Sequence, residues 1–320
     1  MKKIKLKKGV YYSLIIIILL VVGGIFGYQK YQEYLYHQTY EYKLTEHGYT
    51  LEEAQIILKE FSDENDISYF LVNNKNSNLI SLTKEKYYLK RNFYKYISYM
   101  EENKSLDLTT IVRNINIHLD EDYYRANYET DISKNTLMIA NKYYALNKDY
   151  IPDDLVNASL DYSWGELGSN KVRQIAYDAY LNMWNEAKEK GYYFMINSSY
   201  RSYDDQEIVY NRYKSSRGEK YADSIAARPG YSEHQTGLAL DIFSKAHPSI
   251  SSFKESEEAN WLKENAHRFG FILRYPDGLE NITGYSYEAW HYRYVGIDAA
   301  TYIYENNITY EEYYAYFIEK

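Results

Sequence analysis

The longest pattern in the chain is an uncharged block. Residues 9–28 carry no charged residue and contain LIIIILLVVGGIF, with Lys2, Lys3, Lys5, Lys7 and Lys8 ahead of them. About 20 residues at a rise of ~1.5 Å span a hydrocarbon core of ~30 Å. Lysines on that one flank hold it in the cytoplasm by the positive-inside rule. The pattern predicts a cytoplasmic tail over 1–8, a transmembrane anchor over 9–28 and an extracellular remainder, hence a single-pass protein of the cell membrane. Removal as a signal peptide is the competing reading. The run is long for that, and GYQKYQEYLYHQ after it offers no small-x-small cleavage site.

Beyond the anchor the periodicity becomes helical. A polar, tyrosine-rich stalk leads into YTLEEAQIILKEF, where Thr50 and Glu53 have capping-box spacing and Ala54, Ile57 and Leu58 share a face. Short apolar-periodic pieces follow, so 29–125 reads as a stalk and a small helical module. From residue 126 onward the texture changes. VRQIAYDAYLNMWNEAKEKGY is helical and stopped by Gly191; YFMINSSYRS is a strand running into a turn; residues 206–213 are helical. GLALDIF and EAWHYRYVG are strand-like, ESEEANWLKENAHRFGF is helical up to Gly270, and Thr309 with Glu312 opens a last helix. Few, short strands interleaved with helices predict an α+β domain over 126–320, a small antiparallel sheet with flanking helices, and not a doubly wound sheet.

Composition narrows the chemistry. With 45% hydrophobic and 26% charged residues the chain can bury a core. A net charge of −8 argues against nucleic acid as a partner. There is no cysteine, which excludes disulfides and thiolate sites and leaves histidine and carboxylate as the strong metal ligands. The 43 tyrosines, together with abundant Lys, Ile and Asn, reflect a compositional bias.

Within those limits YSEHQTGLALD, at 231–241, stands out. In an unbroken strand His234 and Asp241, an odd number of residues apart, would face opposite ways. Thr236-Gly237 allows a bend between them, which puts His234 on a loop before a strand whose Ala239, Asp241 and Phe243 share one face. EAWH supplies His291. Two neutral imidazoles, one carboxylate and an open fourth position describe a catalytic zinc site. The facial triad of a non-haem iron oxygenase uses the same residue types, but it generally sets His and carboxylate two apart on a strand, and an exported domain has poor access to reduced iron. Glu288 is expected on an irregular entry to its strand, where it could serve as general base. Trp290 and Tyr292, alternating with His291, would shape the opposite side. His47, His118, His247 and His267 are expected to be non-ligands.

The segments SSYRSYDDQ, PGYSEHQTGLALDI and EAWHYRYVG, in this order and spacing, resemble the three signature segments of VanY-type D-alanyl-D-alanine carboxypeptidases. That family belongs to a zinc-peptidase group that includes lysostaphin-like enzymes and the hedgehog domain. The resemblance covers roughly residues 130–305, with Ser232, His234, Gly237, Ala239 and Asp241 in one motif and Glu288, Trp290 and His291 in another. It implies one zinc per chain on His234, Asp241 and His291, with Glu288 as catalytic base. It also implies Arg201 as a catalytic and substrate-binding residue, its fork suited to a terminal carboxylate or the developing oxyanion, with Gln206, Ser232 and Trp290 also binding substrate. The implied function is removal of the terminal D-alanine from peptidoglycan stem peptides. An L,D-carboxypeptidase acting on tetrapeptide stems, or a peptidoglycan endopeptidase, is the alternative. The implied partners are peptidoglycan stems outside the cell and the membrane through the N-terminal helix.

Overall fold

The computed structural model describes residues 8–125 and 128–319. Lys2, Lys3, Lys5 and Lys7 of the expected tail, and the expected domain start at residue 126, lie outside the described residues. The chain divides into two compact units, Met1–Val112 and Arg113–Lys320, with the division inside one helix.

In the first unit, α1 (Lys8–His37) carries the apolar block and continues through most of the stretch expected as stalk. No Gly or Pro interrupts 29–37, and its Gln, Lys, Glu and Leu are good helix formers. Residues Gly9–His37 are long and apolar enough to cross a membrane. The helices α2 (Tyr40–Glu46), α3 (Leu51–Glu60), α4 (Glu64–Val72), α5 (Ser77–Leu82) and α6 (Phe93–Glu102) follow. They enclose a core centred on Ile57, Phe61, Phe70 and Phe93. The Thr50–Glu53 capping box is formed, at 2.8 and 3.1 Å. Helix α7 (Leu108–Asn116) carries the division between units.

The second unit opens with two small ladders. Strand β1 (Tyr128–Glu129) pairs in parallel with β2 (Tyr144–Ala145), and β3 (Leu155–Asn157) pairs antiparallel with β4 (Lys171–Arg173). After α8 (Gln174–Glu189) come β5 (Phe194–Ser198), α9 (Tyr203–Arg217), α10 (Glu219–Ile225), β6 (Ala239–Ser244), α11 (Ile250–Phe253) and α12 (Glu257–Asn265). The chain ends with β7 (Phe271–Leu273), α13 (Glu280–Thr283), β8 (His291–Tyr294), α14 (Ile297–Asn306) and α15 (Tyr310–Tyr313). The main sheet has the order β5-β6-β8-β7 and is antiparallel at every pair.

Strand periodicity splits this sheet into two chemistries. Leu240, Ile242, Tyr292 and Tyr294 point into a core shared with Ala176, Tyr180, Met183 and Ala187 of α8; each such buried aliphatic contributes ~1.5–3 kcal/mol. The alternate positions, Asp241 and His291, emerge on the other face. Tyr292 therefore does not flank the site as the alternation with His291 was expected to allow: it is fully buried in the core. Trp290 escapes the alternation because it sits in the turn before β8, stacked on Phe243 with ring centroids 6.1 Å apart.

The expected bend before β6 is made by Gly237, at φ +69°. A Cβ there would lie 2.9 Å from both Arg173 Cγ and Leu155 Cδ2. Both the left-handed backbone and the close packing demand glycine.

Candidate metal centre

Local structure positions each donor. His234 lies in the short 3₁₀ turn Glu233–Thr236, where Ser232 caps the start by accepting the His234 N–H at 3.3 Å and Gly237 closes the end. Nδ1 of His234 donates to the Ser199 carbonyl at 2.6 Å. A carbonyl can only accept, so that nitrogen carries the proton and Nε2 keeps its lone pair. Nε2 is 3.5 Å from Asp241 Oδ2. His291, first residue of β8, is the direct register partner of Asp241, with Nδ1 3.3 Å from Oδ1. The two imidazoles stand edge to face, centroids 5.0 Å apart. One donor atom from each of His234, Asp241 and His291 lies within 4.8 Å of the others.

The set fits a zinc ion. Asp241 Oδ1 is buried and meets no hydrogen-bond donor among the described residues. Burial, opposed by Asp241 and reinforced by Arg201 and His291, lowers His234 to about 3, which keeps the imidazole neutral. Burial resists ionisation of Asp241 as well, yet the two histidines hold it down at about 2. Burial would lower His291, but Asp241, Glu233 and Glu288 together lift it to about 9.

Glu288 occupies the irregular segment ahead of β8, its backbone N–H donating to Tyr275 at 3.1 Å and its Oε2 3.6 Å from His291 Nδ1. Burial pushes its carboxyl up to about 8; His291 and Arg201 offset that only in part, while Asp241 and Glu233 add to it. Arg201 follows the turn after β5. Its Nη1 donates to Gln206 Oε1 at 2.8 Å and its Nη2 to Ser198 Oγ at 2.9 Å. Gln206 is itself fixed, donating to the Ala227 carbonyl at 2.7 Å. Both partners are neutral. Among the described residues no carboxylate lies within ion-pair distance of this guanidinium.

Arg201, Gln206, Ser232, His234, Asp241, Glu288, Trp290 and His291 line one pocket of about 430 Å³. Tyr213, Tyr221, Tyr285 and Tyr287 form much of the remaining wall. The other histidines stay outside it. His247 pairs with Glu258 at 3.2 Å, and His267 stacks on Tyr304 at 4.0 Å. His118, expected within the helical module, belongs instead to the second unit, where Nε2 lies 3.0 Å from the Tyr144 hydroxyl.

Sequence reasoning passed over Glu233, Arg274 and Arg293, which lie behind His291. Burial alone would raise Glu233, but Arg274, Arg293 and His291 hold it well below the usual carboxylate range. A signal existed: Glu233 stands between Ser232 and His234 in the first motif, and Arg293 between tyrosines of the second.

Residues 169–297 match the VanY family model, D-alanyl-D-alanine carboxypeptidase. The Bacillus subtilis (strain 168) protein YodJ, a carboxypeptidase by name, is 42% identical over 184 residues, covering 57% of this chain and 67% of that protein. A D-alanyl-D-alanine carboxypeptidase of Enterococcus faecium is 36% identical over 199 residues, 60% of this chain and 61% of that one. The chain thus spans about two thirds of the length of these relatives. Among solved structures, the LdcB LD-carboxypeptidase superposes with a TM-score of 0.57 at 39% identity, covering 61% of this chain and 92% of that one. VanYB in complex with D-alanine-D-alanine gives 0.50 at 32% identity, covering 58% and 99%.

Proposed function

The chain belongs to the VanY family of D-alanyl-D-alanine carboxypeptidases, and from that premise we propose that it removes the terminal D-alanine from peptidoglycan stem peptides with one zinc per chain. His234 Nε2, an Asp241 oxygen and His291 Nδ1 would hold the ion, and the bound ion would supply Lewis-acid polarisation of the scissile carbonyl. Arg201 offers a planar, permanently charged fork to the free C-terminal carboxylate. Glu288, at the pocket wall beside His291, accepts the proton of the attacking water and delivers it to the departing amine. Gln206 and Ser232 would line the carboxylate's end of the pocket with Arg201, and Trp290 the acyl side.

The observation that carries this reading is the unpaired charge of Arg201 in the same pocket as the His–Asp–His set. A half-buried guanidinium whose hydrogen bonds, among the described residues, go to neutral groups favours an anionic ligand. Anchoring by α1, with the lysines of the N-terminal flank inside, would place the pocket next to the cell wall. The test is incubation with stem peptides ending in a free acid or an amide, followed by mass analysis of the products. Loss of one D-alanine from the free acid, with the amide spared, supports the reading. Equal cleavage of both sinks it in favour of an endopeptidase. The similarity to the LdcB LD-carboxypeptidase makes the tetrapeptide stem a second reading, so pentapeptide and tetrapeptide are compared in the same assay.

A further inference from the structure

Behind the metal centre lies a layer of charge that the proposed reaction does not use. Glu233 is buried, and its Oε1 accepts from Arg274 Nε at 2.8 Å and from Arg293 Nη1 at 3.0 Å. Its other oxygen, Oε2, faces His291 Nε2 at 3.4 Å. Both arginines are buried and anchored from behind. Arg274 makes a two-pronged pair with Glu311, Nη1 to Oε2 at 2.9 Å and Nη2 to Oε1 at 2.5 Å. Arg293 Nη2 donates to the carbonyls of Thr136 and Met138, at 3.1 and 2.6 Å.

We infer that Glu233 is the positioning carboxylate of the metal centre, accepting the Nε2 proton of His291 so that Nδ1 is the nitrogen with the free lone pair. The inference rests on the zinc reading above and deepens it. A neutral imidazole carries one N–H, and an ionised carboxylate can only accept, so a Glu233 anion at Nε2 dictates the tautomer. Two guanidinium groups on Oε1 keep the anion in place and aim Oε2 at the ring. His234 is set the opposite way: its Nδ1 proton goes to the Ser199 carbonyl, leaving Nε2 bare. Two buried acceptors therefore lock the two rings in opposite tautomers, and both lone pairs converge on Asp241.

The groups that brace Glu233 come partly from outside residues 169–297. Glu311 lies on α15, and Thr136 and Met138 precede β2. The flanking segments thus close the back of the site behind Glu233 without entering the pocket.

The test uses the full chain in detergent and reads zinc affinity by chelator competition, which requires no substrate. Wild type comes first: a protein that binds no zinc overturns the zinc reading itself. Glu233→Gln is expected to weaken zinc ~10–100-fold, the usual effect of removing a histidine's outer hydrogen-bond partner. Glu311→Gln breaks the outer pair with Arg274 but touches neither His291 nor Glu233. It should lower thermal stability while leaving zinc affinity close to wild type. Equal loss of zinc in both variants would reduce Glu233 to a structural role, and unchanged affinity in Glu233→Gln would remove its role altogether. Should Glu233→Gln fail to fold, imidazole nitrogen NMR of the zinc-loaded wild type decides the matter. His291 protonated at Nε2 and His234 at Nδ1 is the expected pattern; a proton on His291 Nδ1 overturns the inference.

Discussion

Asp241 and His291 are direct partners across the β6–β8 ladder, which brings a buried carboxylate oxygen to within 3.3 Å of an imidazole nitrogen. The relationship depends on strand register, since a slip by one residue would turn either side chain into the core. His234 joins the pair from a turn and not from the sheet.

Removing a donor from this set should remove the metal. Purified wild-type protein is expected to hold about one zinc per chain, as a three-ligand catalytic site does. His234→Ala and Asp241→Ala should lose it. Elemental analysis that finds stoichiometric zinc in both variants contradicts the assignment.

Glu288→Gln separates proton transfer from metal binding. The amide keeps the size of the side chain but cannot take a proton. Zinc content should be unchanged while turnover on the free-acid stem falls ~10²–10⁴-fold, the range for a general base. Near-normal turnover would assign the base to another residue.

Arg201→Ala tests the carboxylate contact. Because the hydrogen-bond partners of Arg201 among the described residues, Gln206 and Ser198, are neutral, its charge is available to substrate. A charge-assisted pair in a buried site is worth a few kcal/mol, so kcat/KM for the free-acid peptide should drop ~10²-fold. The slow rate on the amidated peptide should barely change. A parallel drop on both substrates would mean that Arg201 serves the reaction without reading the terminus.

Gly237→Ala is expected to destabilise the second unit by more than ~1 kcal/mol, since the new Cβ meets a positive φ and two side-chain carbons at 2.9 Å. Thermal melting gives the answer, and a melting temperature equal to wild type would show that the bend relaxes freely.

Lys142 supplies a pH test away from the pocket's donors. Its ammonium is buried, donates to the Asp223 carbonyl at 2.6 Å, and sits 4.7 and 4.6 Å from the Tyr123 and Tyr285 rings. Burial, opposed by Asp223 and aided by Arg228, lowers its pKa from 10.5 to about 8. Above pH 8 the unfolded chain binds a proton that the folded one has released, so stability rises with pH in that window. The gain should reach roughly 2 kcal/mol by pH 9.5. Lys142→Met should lack it; identical pH profiles in denaturant unfolding would refute the linkage.

Much of this molecule could be read in short windows of sequence. The long apolar helix α1 is legible because ~20 uncharged residues in a row are a pattern of membrane-spanning length. The caps at Thr50 and Thr309, the bend at Gly237 and the irregular seat of Glu288 follow from rules that operate within a few residues, and all appear as expected. His234, Asp241 and His291 were recognisable because the motif preserves their spacing. What only the tertiary structure decided is who faces whom. The alternation along β8 sends Tyr292 into the core while the preceding turn frees Trp290 for the pocket. Arg274 finds Glu233 across the sheet, and Glu311 finds Arg274 through the docking of α15, neither of which leaves a local mark. The physical reason is range: caps and turns are settled by neighbours in the chain, whereas a buried charge is satisfied by whichever partner the fold delivers, and no window of a few residues contains both.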